Sequence, residues 1–172
     1  MFGFVTRRDH RVMMRANNWL PPRWVRIWAM TATRAGNGWL WYAIGICVLL
    51  FGDRNRFRVV GSCGLAGGAS VLLFMWVKRL TGRKRPCEVE PHRWANLLPP
   101  DQFSFPSGHT MTAFAVVLPV AMIYPMTAPA LYFFAVSIAI SRILLGMHYL
   151  SDVVAGAVIG AGLGYVSHLA LG

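Results

Sequence analysis

The chain has 172 residues and 19.1 kDa, is 56% hydrophobic and only 13% charged, and has a mean hydropathy of +0.48. Soluble domains carry about a quarter charged residues and disordered chains are poor in apolar ones, so the composition argues against both classes. A net charge of +11 in so apolar a chain, lodged between long uncharged runs, points to a membrane with anionic lipid rather than to nucleic acid.

The first 34 residues interleave Arg7, Arg8, Arg11, Arg15, Arg23 and Arg26 with Val12, Met13, Met14, Trp19, Leu20, Trp24, Val25, Ile27 and Trp28. This basic, Trp-rich pattern is broken at Pro21-Pro22 and predicts two short amphipathic helices lying in the headgroup region. No apolar core and cleavage site of a signal peptide is expected there. The remainder, 35–172, reads as one transmembrane domain. Uncharged stretches of 18 residues (35–52), 19 (59–77), 32 (110–141) and 20 (153–172) mark the spans, since a bilayer core takes roughly 20 helical residues. The stretch of 32 is too long for one crossing, and Pro125 and Pro129 interrupt its middle, where proline breaks a helix. It predicts a hairpin of spans at about 107–124 and 128–145. The expected fold is therefore an all-α, multi-pass transmembrane helical bundle of about five spans. Gly156, Gly160 and Gly164, and likewise Gly64 and Gly68, recur every fourth residue and are read as faces for close helix packing. Cys47, Cys63 and Cys87 imply no disulfide framework.

Outside the arm and a short cluster at Arg54–Arg58, the polar residues gather at three places, all at span ends. Lys78, Arg79, Arg83, Lys84, Arg85 and Pro86 follow the second span, Phe105-Pro106-Ser107-Gly108-His109 opens the third, and Ser141-Arg142, His148 and Asp152 lie between the fourth and fifth. Counting crossings puts all three on one face of the membrane, a convergence suited to handling phosphate. Lys78, Arg85 and Arg142 can neutralise a phosphoryl group. Ser107 and Gly108 stand where a helix begins, with backbone N–H groups directed at an anion. His148 and Asp152, four apart, can share a face so that the carboxylate orients the ring, fitting His148 as nucleophile or base and His109 as acid. On a continuous helix Arg142 and His148 would diverge, so the fourth helix is expected to stop near Gly146, a natural C-terminal cap. Other readings stay open: basic residues as headgroup anchors, Ser107 as a plain cap, or a metal held by His109, His148, Asp152 and Glu88, although no compact His/Cys ligand spacing is present.

Lys78 with six residues to Arg85-Pro86, then Pro106-Ser107-Gly108-His109, then Ser141-Arg142 with five to His148 and three to Asp152, resembles the three-part signature of the type 2 phosphatidic acid phosphatase superfamily, the integral-membrane lipid phosphate phosphatases. The resemblance implies a metal-independent enzyme without a cofactor, working through a phosphohistidine. On it His148 attacks phosphorus, Asp152 orients His148, and His109 protonates the leaving oxygen. Lys78, Arg85, Arg142, Ser107 and the Gly108 backbone then hold the phosphoryl oxygens. The implied substrates are phosphatidic acid, phosphatidylglycerophosphate or a prenyl diphosphate such as undecaprenyl diphosphate, met in the cell (inner) membrane, with no nucleic acid partner. Alternatives from other classes are a vanadate-dependent haloperoxidase-like enzyme, which shares the motif, and a non-enzymatic basic membrane scaffold. Larger relatives have six spans where five are counted here, the arm replacing the first. Fourteen Lys and Arg fall on the site's face and three on the other, which by the positive-inside rule makes the site cytoplasmic; the family resemblance favours the opposite side.

Overall fold

The computed structural model describes residues 7–90, 92–95 and 101–171, so the first six residues of the expected arm lie outside the described part. Two helices, α1 (Arg7–Asn18) and α2 (Arg23–Ala35), flank Pro21-Pro22 as the sequence predicts. Both turn one side inward, burying Asp9, Met13 and Ala16 on α1 and Val25, Ala29 and Ala32 on α2, while Trp19, Leu20, Trp24 and Ile27 remain exposed. That leaves an aromatic and aliphatic edge suited to the headgroup boundary.

The bundle follows: α3 (Trp39–Phe51), α4 (Arg56–Thr81), the single turn α5 (Pro86–Val89), α6 (Gly108–Ile123), a 3₁₀ turn at Pro125–Thr127, α7 (Ala128–Leu144) and α8 (Leu150–Ala170). Among the described residues α4, α8, and α7 with its preceding 3₁₀ turn are long and apolar enough to cross a bilayer, while α3 and α6 are shorter apolar helices. The expected hairpin breaks at Pro125. Helix α6 sits centrally, packed against α8, α4 and α7, and its Ala113, Val117 and Val120 join Trp41, Val59, Leu131, Ala135 and Ile138 in the main apolar core. Away from the polar end, Tyr124 Oη donates to Asp53 Oδ1 at 3.0 Å and ties the α3–α4 loop to the end of α6.

The α6–α8 contact explains the first glycine row. A Cβ on Gly156 would lie 2.7 Å from the Ser107 carbonyl, and one on Gly164 2.7 Å from that of Ala115. One on Gly160 would overlap the carbonyl of Met111. Backbone meets backbone there, and no side chain fits between. The second row differs from expectation. A Cβ on Gly64 or Gly68 meets nothing within 4 Å, because these glycines face an open groove between α3 and α4 rather than a neighbouring helix. Four-residue spacing sets a common face and leaves open what that face meets.

Helix α7 stops where expected. Gly146 adopts φ +65°, a left-handed conformation that only glycine takes without strain. Its N–H donates to the Ile143 carbonyl at 3.0 Å, and Met147 N–H reaches back to that of Arg142 at 3.0 Å. This is the paired closure of a Schellman motif. His148 N–H also donates to the Arg142 carbonyl, at 3.1 Å, so the cap folds His148 back beside the arginine.

Replacing Gly160 by Val is expected to lower the melting temperature in detergent, by an overpacking cost of about 1–3 kcal/mol, whereas Gly68→Val leaves it unchanged. Equal effects of the two, read by thermal unfolding, would contradict the assignment of the two glycine rows.

Candidate functional site

Short polar links gather the three clusters at one end of the bundle. Lys78, in the last turn of α4, donates to Asp101 Oδ2 at 2.7 Å. Arg85, only 1% exposed, precedes α5 and donates from Nε to the Asp101 carbonyl, from Nη2 to Asp101 Oδ1 and from Nη1 to the Met147 carbonyl, at 2.8, 2.8 and 2.9 Å. Asp101 thus bridges two of the expected phosphate-binding cations. Burial alone would raise its pKa, but the hydrogen bonds and charges of Lys78 and Arg85 prevail and hold it down at about 2.

Ser107 is the N-cap of α6. Its hydroxyl pairs with Thr110 Oγ1 at 2.9 Å and its N–H donates to the Asp152 carbonyl at 3.1 Å, which joins the starts of α6 and α8. Gly108 follows as the first residue of α6, with the Phe74 ring 3.1 Å from where a Cβ would stand. His109 Nε2 pairs with Asn37 Oδ1 at 2.8 Å.

Arg142, in the last turn of α7 and 4% exposed, donates from Nη1 to Thr33 Oγ1 at 2.5 Å. Its Nε is buried with no hydrogen-bond partner, and among the described residues no carboxylate lies within ion-pair range of it. A buried guanidinium with an unpaired donor is costly unless an anion completes it.

His148 is held by its Nδ1, 2.6 Å from the Ser104 carbonyl. A carbonyl only accepts, so Nδ1 carries the hydrogen and Nε2 keeps its lone pair. Nε2 faces Arg85 Nη1 at 3.3 Å. Burial first, then the charges of Arg142, Arg85 and Lys78, hold this imidazole's pKa well below the usual 6.5, so the ring is neutral at physiological pH. Asp152 Oδ2 accepts the Tyr149 N–H at 2.8 Å and stands 3.7 Å from His148 Nδ1, within ion-pair range and beyond hydrogen-bond reach. The direct partner of the ring is therefore the Ser104 carbonyl, with the carboxylate behind it. Asp152 Oδ1 accepts from Arg83 Nη1 at 2.6 Å.

Five residues of this assembly were not singled out by the sequence motifs, Asp9, Thr33, Asn37, Asp101 and Ser104, and Arg83 stood there only as a member of the basic cluster after the second span, with no role. One signal was available. The chain has only six acidic residues, and Asp9 is the one acid before Asp53, so a lone carboxylate among arginines marked a buried pair. Among the described residues, no three His, Cys, Asp or Glu side chains are grouped closely enough to hold a metal ion.

A cavity of about 960 Å³ opens between α3, α4 and α6. Its head is formed by Gly108, His109 and Asn37, and it runs past Gly68 and Gly64 to Val60 and Leu49. From Phe74 to Val60 along α4 it spans roughly 21 Å, and its walls are almost wholly apolar side chains and glycine backbone.

The model of the PAP2 superfamily matches residues 57–172. The chain is 34% identical over 139 residues to decaprenylphosphoryl-5-phosphoribose phosphatase of Mycobacterium tuberculosis (strain CDC 1551 / Oshkosh), covering 75% of this chain and 69% of that one. It is 34% identical over 96 residues to lipid A 1-phosphatase of Rhizobium johnstonii, covering 54% and 39% of the two chains. Among solved structures it resembles Aquifex aeolicus LpxE, with a TM-score of 0.81 at 25% identity over 97% of this chain and 98% of that one. The fold is also that of the phosphatidylglycerolphosphate phosphatase from Bacillus subtilis, with a TM-score of 0.73 at 22% identity over 96% and 85%.

The state of His148 has a thermodynamic consequence. Its folded form binds a proton more weakly than the unfolded chain, so its stabilisation is complete above the unfolded value and is lost as pH falls below it. The melting temperature in detergent is expected to drop from about pH 7.5 to about pH 5, with a shallower drop in His148→Gln. Parallel curves for the two proteins would contradict a buried neutral imidazole.

Proposed function

The chain belongs to the PAP2 superfamily and is a membrane lipid phosphatase; from that premise we propose that it works by covalent catalysis at His148, and that its substrate carries a phosphomonoester on a lipid-linked headgroup. The observation that carries this reading is the pairing of a neutral, tautomer-fixed His148 with Arg142, a buried cation whose Nε has no partner among the described residues. A nucleophile and an anion-binding group thus stand side by side.

In this mechanism the phosphoryl oxygens are held by Arg142, by Lys78 and Arg85, and by the N-terminus of α6 at Ser107 and Gly108. His148 Nε2 attacks in line, the Nε2–P bond forms and the P–O bond to the lipid breaks. His109, protonated at both ring nitrogens once the anionic phosphate is bound, gives the proton on Nδ1 to the leaving oxygen. The positive charge that grows on the His148 ring is spread onto the Ser104 carbonyl and the Asp152 carboxylate behind it. Water then attacks phosphorus, returns a proton to His109 and breaks the Nε2–P bond, releasing phosphate. No step calls on a metal.

The α3–α4 groove supports a lipid substrate, since its apolar length begins at His109 and suits a hydrocarbon chain entering sideways from the bilayer. The named relatives act on decaprenylphosphoryl-5-phosphoribose and on lipid A, which ranks a headgroup phosphate first, ahead of phosphatidic acid, phosphatidylglycerophosphate and a prenyl diphosphate. We place the enzyme in the cell (inner) membrane. The charge asymmetry and the family precedent favour opposite sides for the site, and an impermeant thiol reagent on intact cells distinguishes them: Cys87, near the site, reacts only if the site faces outward.

Phosphate release in detergent over that panel of lipids is the test. The unchanged protein is expected to turn over at least one headgroup phosphomonoester, EDTA to leave the rate intact, and His148→Ala to reduce it by about a thousandfold or more. Persistent turnover in His148→Ala, or loss with EDTA and recovery with Mg²⁺, would contradict the mechanism. Gly68→Leu, which fills the groove, is expected to raise KM for long-chain substrates and not for short-chain ones. An equal rise for both would remove the groove from the account.

A further inference from the structure

Three residues reach the site from a segment the family match does not include. The match begins at residue 57, yet Asp9, Thr33 and Asn37 each hold a site side chain. Asn37 Oδ1 lies 2.8 Å from His109 Nε2, and the α2–α3 turn wraps the ring closely enough that a Cβ on Gly36 would stand 2.9 Å from His109 Cδ2. An amide oxygen accepts, so Nε2 carries a hydrogen, and Nδ1 is the atom that takes up a second proton in the presence of the anionic phosphate and gives it to the leaving oxygen. Thr33, itself 6% exposed, takes the hydrogen bond from Arg142 Nη1.

Asp9, 2% exposed, acts at greater range. Its Oδ1 accepts the Ser151 N–H at 2.9 Å, and its Oδ2 accepts from the Ser151 hydroxyl at 2.6 Å and from Arg83 Nη2 at 2.8 Å. Arg83 in turn donates from Nη1 to Asp152 Oδ1 at 2.6 Å and to Ser151 Oγ at 2.8 Å, with its guanidinium 4.3 Å from the centre of the Tyr149 ring. The guanidinium is thereby clamped between two carboxylates, one from α1 and one from the first turn of α8. Moving α1 would free Arg83 and, with it, the carboxylate behind His148.

We infer that the amino-terminal segment 7–38 is a working part of the catalytic site: Asn37 positions His109 for proton delivery, Thr33 positions Arg142 on the phosphoryl group, and Asp9 positions Asp152 through Arg83. The three contacts are independent, since they come from α1, from α2 and from the turn after it, and each acts on a different step. The inference rests on the phosphatase reading above and makes separate demands.

The experiment uses the full chain in detergent and two monophosphates with matched alkyl tails, one esterified to an alkanol and one to a nitrophenol. A nitrophenolate leaves without a proton and an alkoxide does not, so a fault in His109 shows on the first substrate alone. Asn37→Leu is expected to lower kcat on the alkyl phosphate by about tenfold or more and to leave the nitrophenyl phosphate within about twofold. Asn37→Asp, which keeps an acceptor oxygen, restores the alkyl rate. Thr33→Val is expected to raise KM and the orthovanadate inhibition constant by roughly fivefold with both substrates. Asp9→Asn, nearly isosteric, is expected to lower kcat on both by about tenfold with KM unchanged, and Arg83→Lys to do the same. Melting temperatures taken alongside separate these patterns from unfolding. Variants that match the parent on both substrates, or that lose all parameters together in step with melting temperature, would overturn the inference. The phosphatase reading is judged apart, by whether the parent releases phosphate and His148→Ala does not.

Discussion

Buried positive charge at a lipid–water boundary is the constraint from which the rest of this molecule follows. Lys78, Arg85 and Arg142 are 8%, 1% and 4% exposed, and Arg83 keeps only 8% of its side chain accessible. Taking such groups out of water costs several kcal/mol each unless partners replace the lost hydration. Asp101 offsets Lys78 and Arg85, and Asp9 and Asp152 together offset Arg83. Arg142 has Thr33 and an unpaired Nε. Among the described residues the site thus carries one buried cation more than its carboxylates neutralise, at the place proposed to receive the substrate phosphate. Burial first, and then the same cations, keep His148 unprotonated, so the groups proposed to bind the anion also help to ready the proposed nucleophile.

The apolar architecture makes that charge cluster possible. Glycines on α8 let its backbone approach the carbonyls of α6, and the Ser107 N–H then reaches the Asp152 carbonyl, fixing two parts of the site to one another. The Schellman cap at Gly146 does the same for Arg142 and His148. On the opposite flank α3 and α4 stand apart, and the glycines between them widen a lipid-facing groove that ends at His109. Close packing on one side of α6 and open space on the other separate the half that carries the proposed catalytic residues from the face proposed to admit a lipid chain.

Much of this was legible in the sequence, for physical reasons. Uncharged runs and the proline pair located the five apolar helices, three of which among the described residues are long enough to cross a bilayer, because the bilayer imposes length and apolarity together. The Arg142–His148 spacing required a stop at Gly146, because a continuous helix would have parted them. Beyond the lone acid Asp9 among its arginines, the pairings that organise the site were not legible. Arg83 and Asp152 lie 69 residues apart, and Asp9 and Ser151 142 apart, so no local spacing links them. The aspartate four residues after His148 suggested a direct grip on the ring, whereas the capping box at Tyr149 turns that carboxylate to the backbone and the Ser104 carbonyl takes its place. Gly64 and Gly68 share a spacing with Gly156 and Gly160 and have the opposite surroundings.

The central claim is that His148 Nε2 becomes covalently bonded to the substrate's phosphorus inside this cationic pocket. Rapid quenching of the enzyme with phosphorus-labelled lipid substrate, followed by digestion under alkaline conditions that preserve phosphoramidates, reads it directly. The account predicts label on His148 at Nε2, absent in His148→Ala and accumulating where His109 is replaced and a nitrophenyl leaving group is used. Label on another residue, or turnover with no trapped histidine adduct under single-turnover conditions, would contradict it.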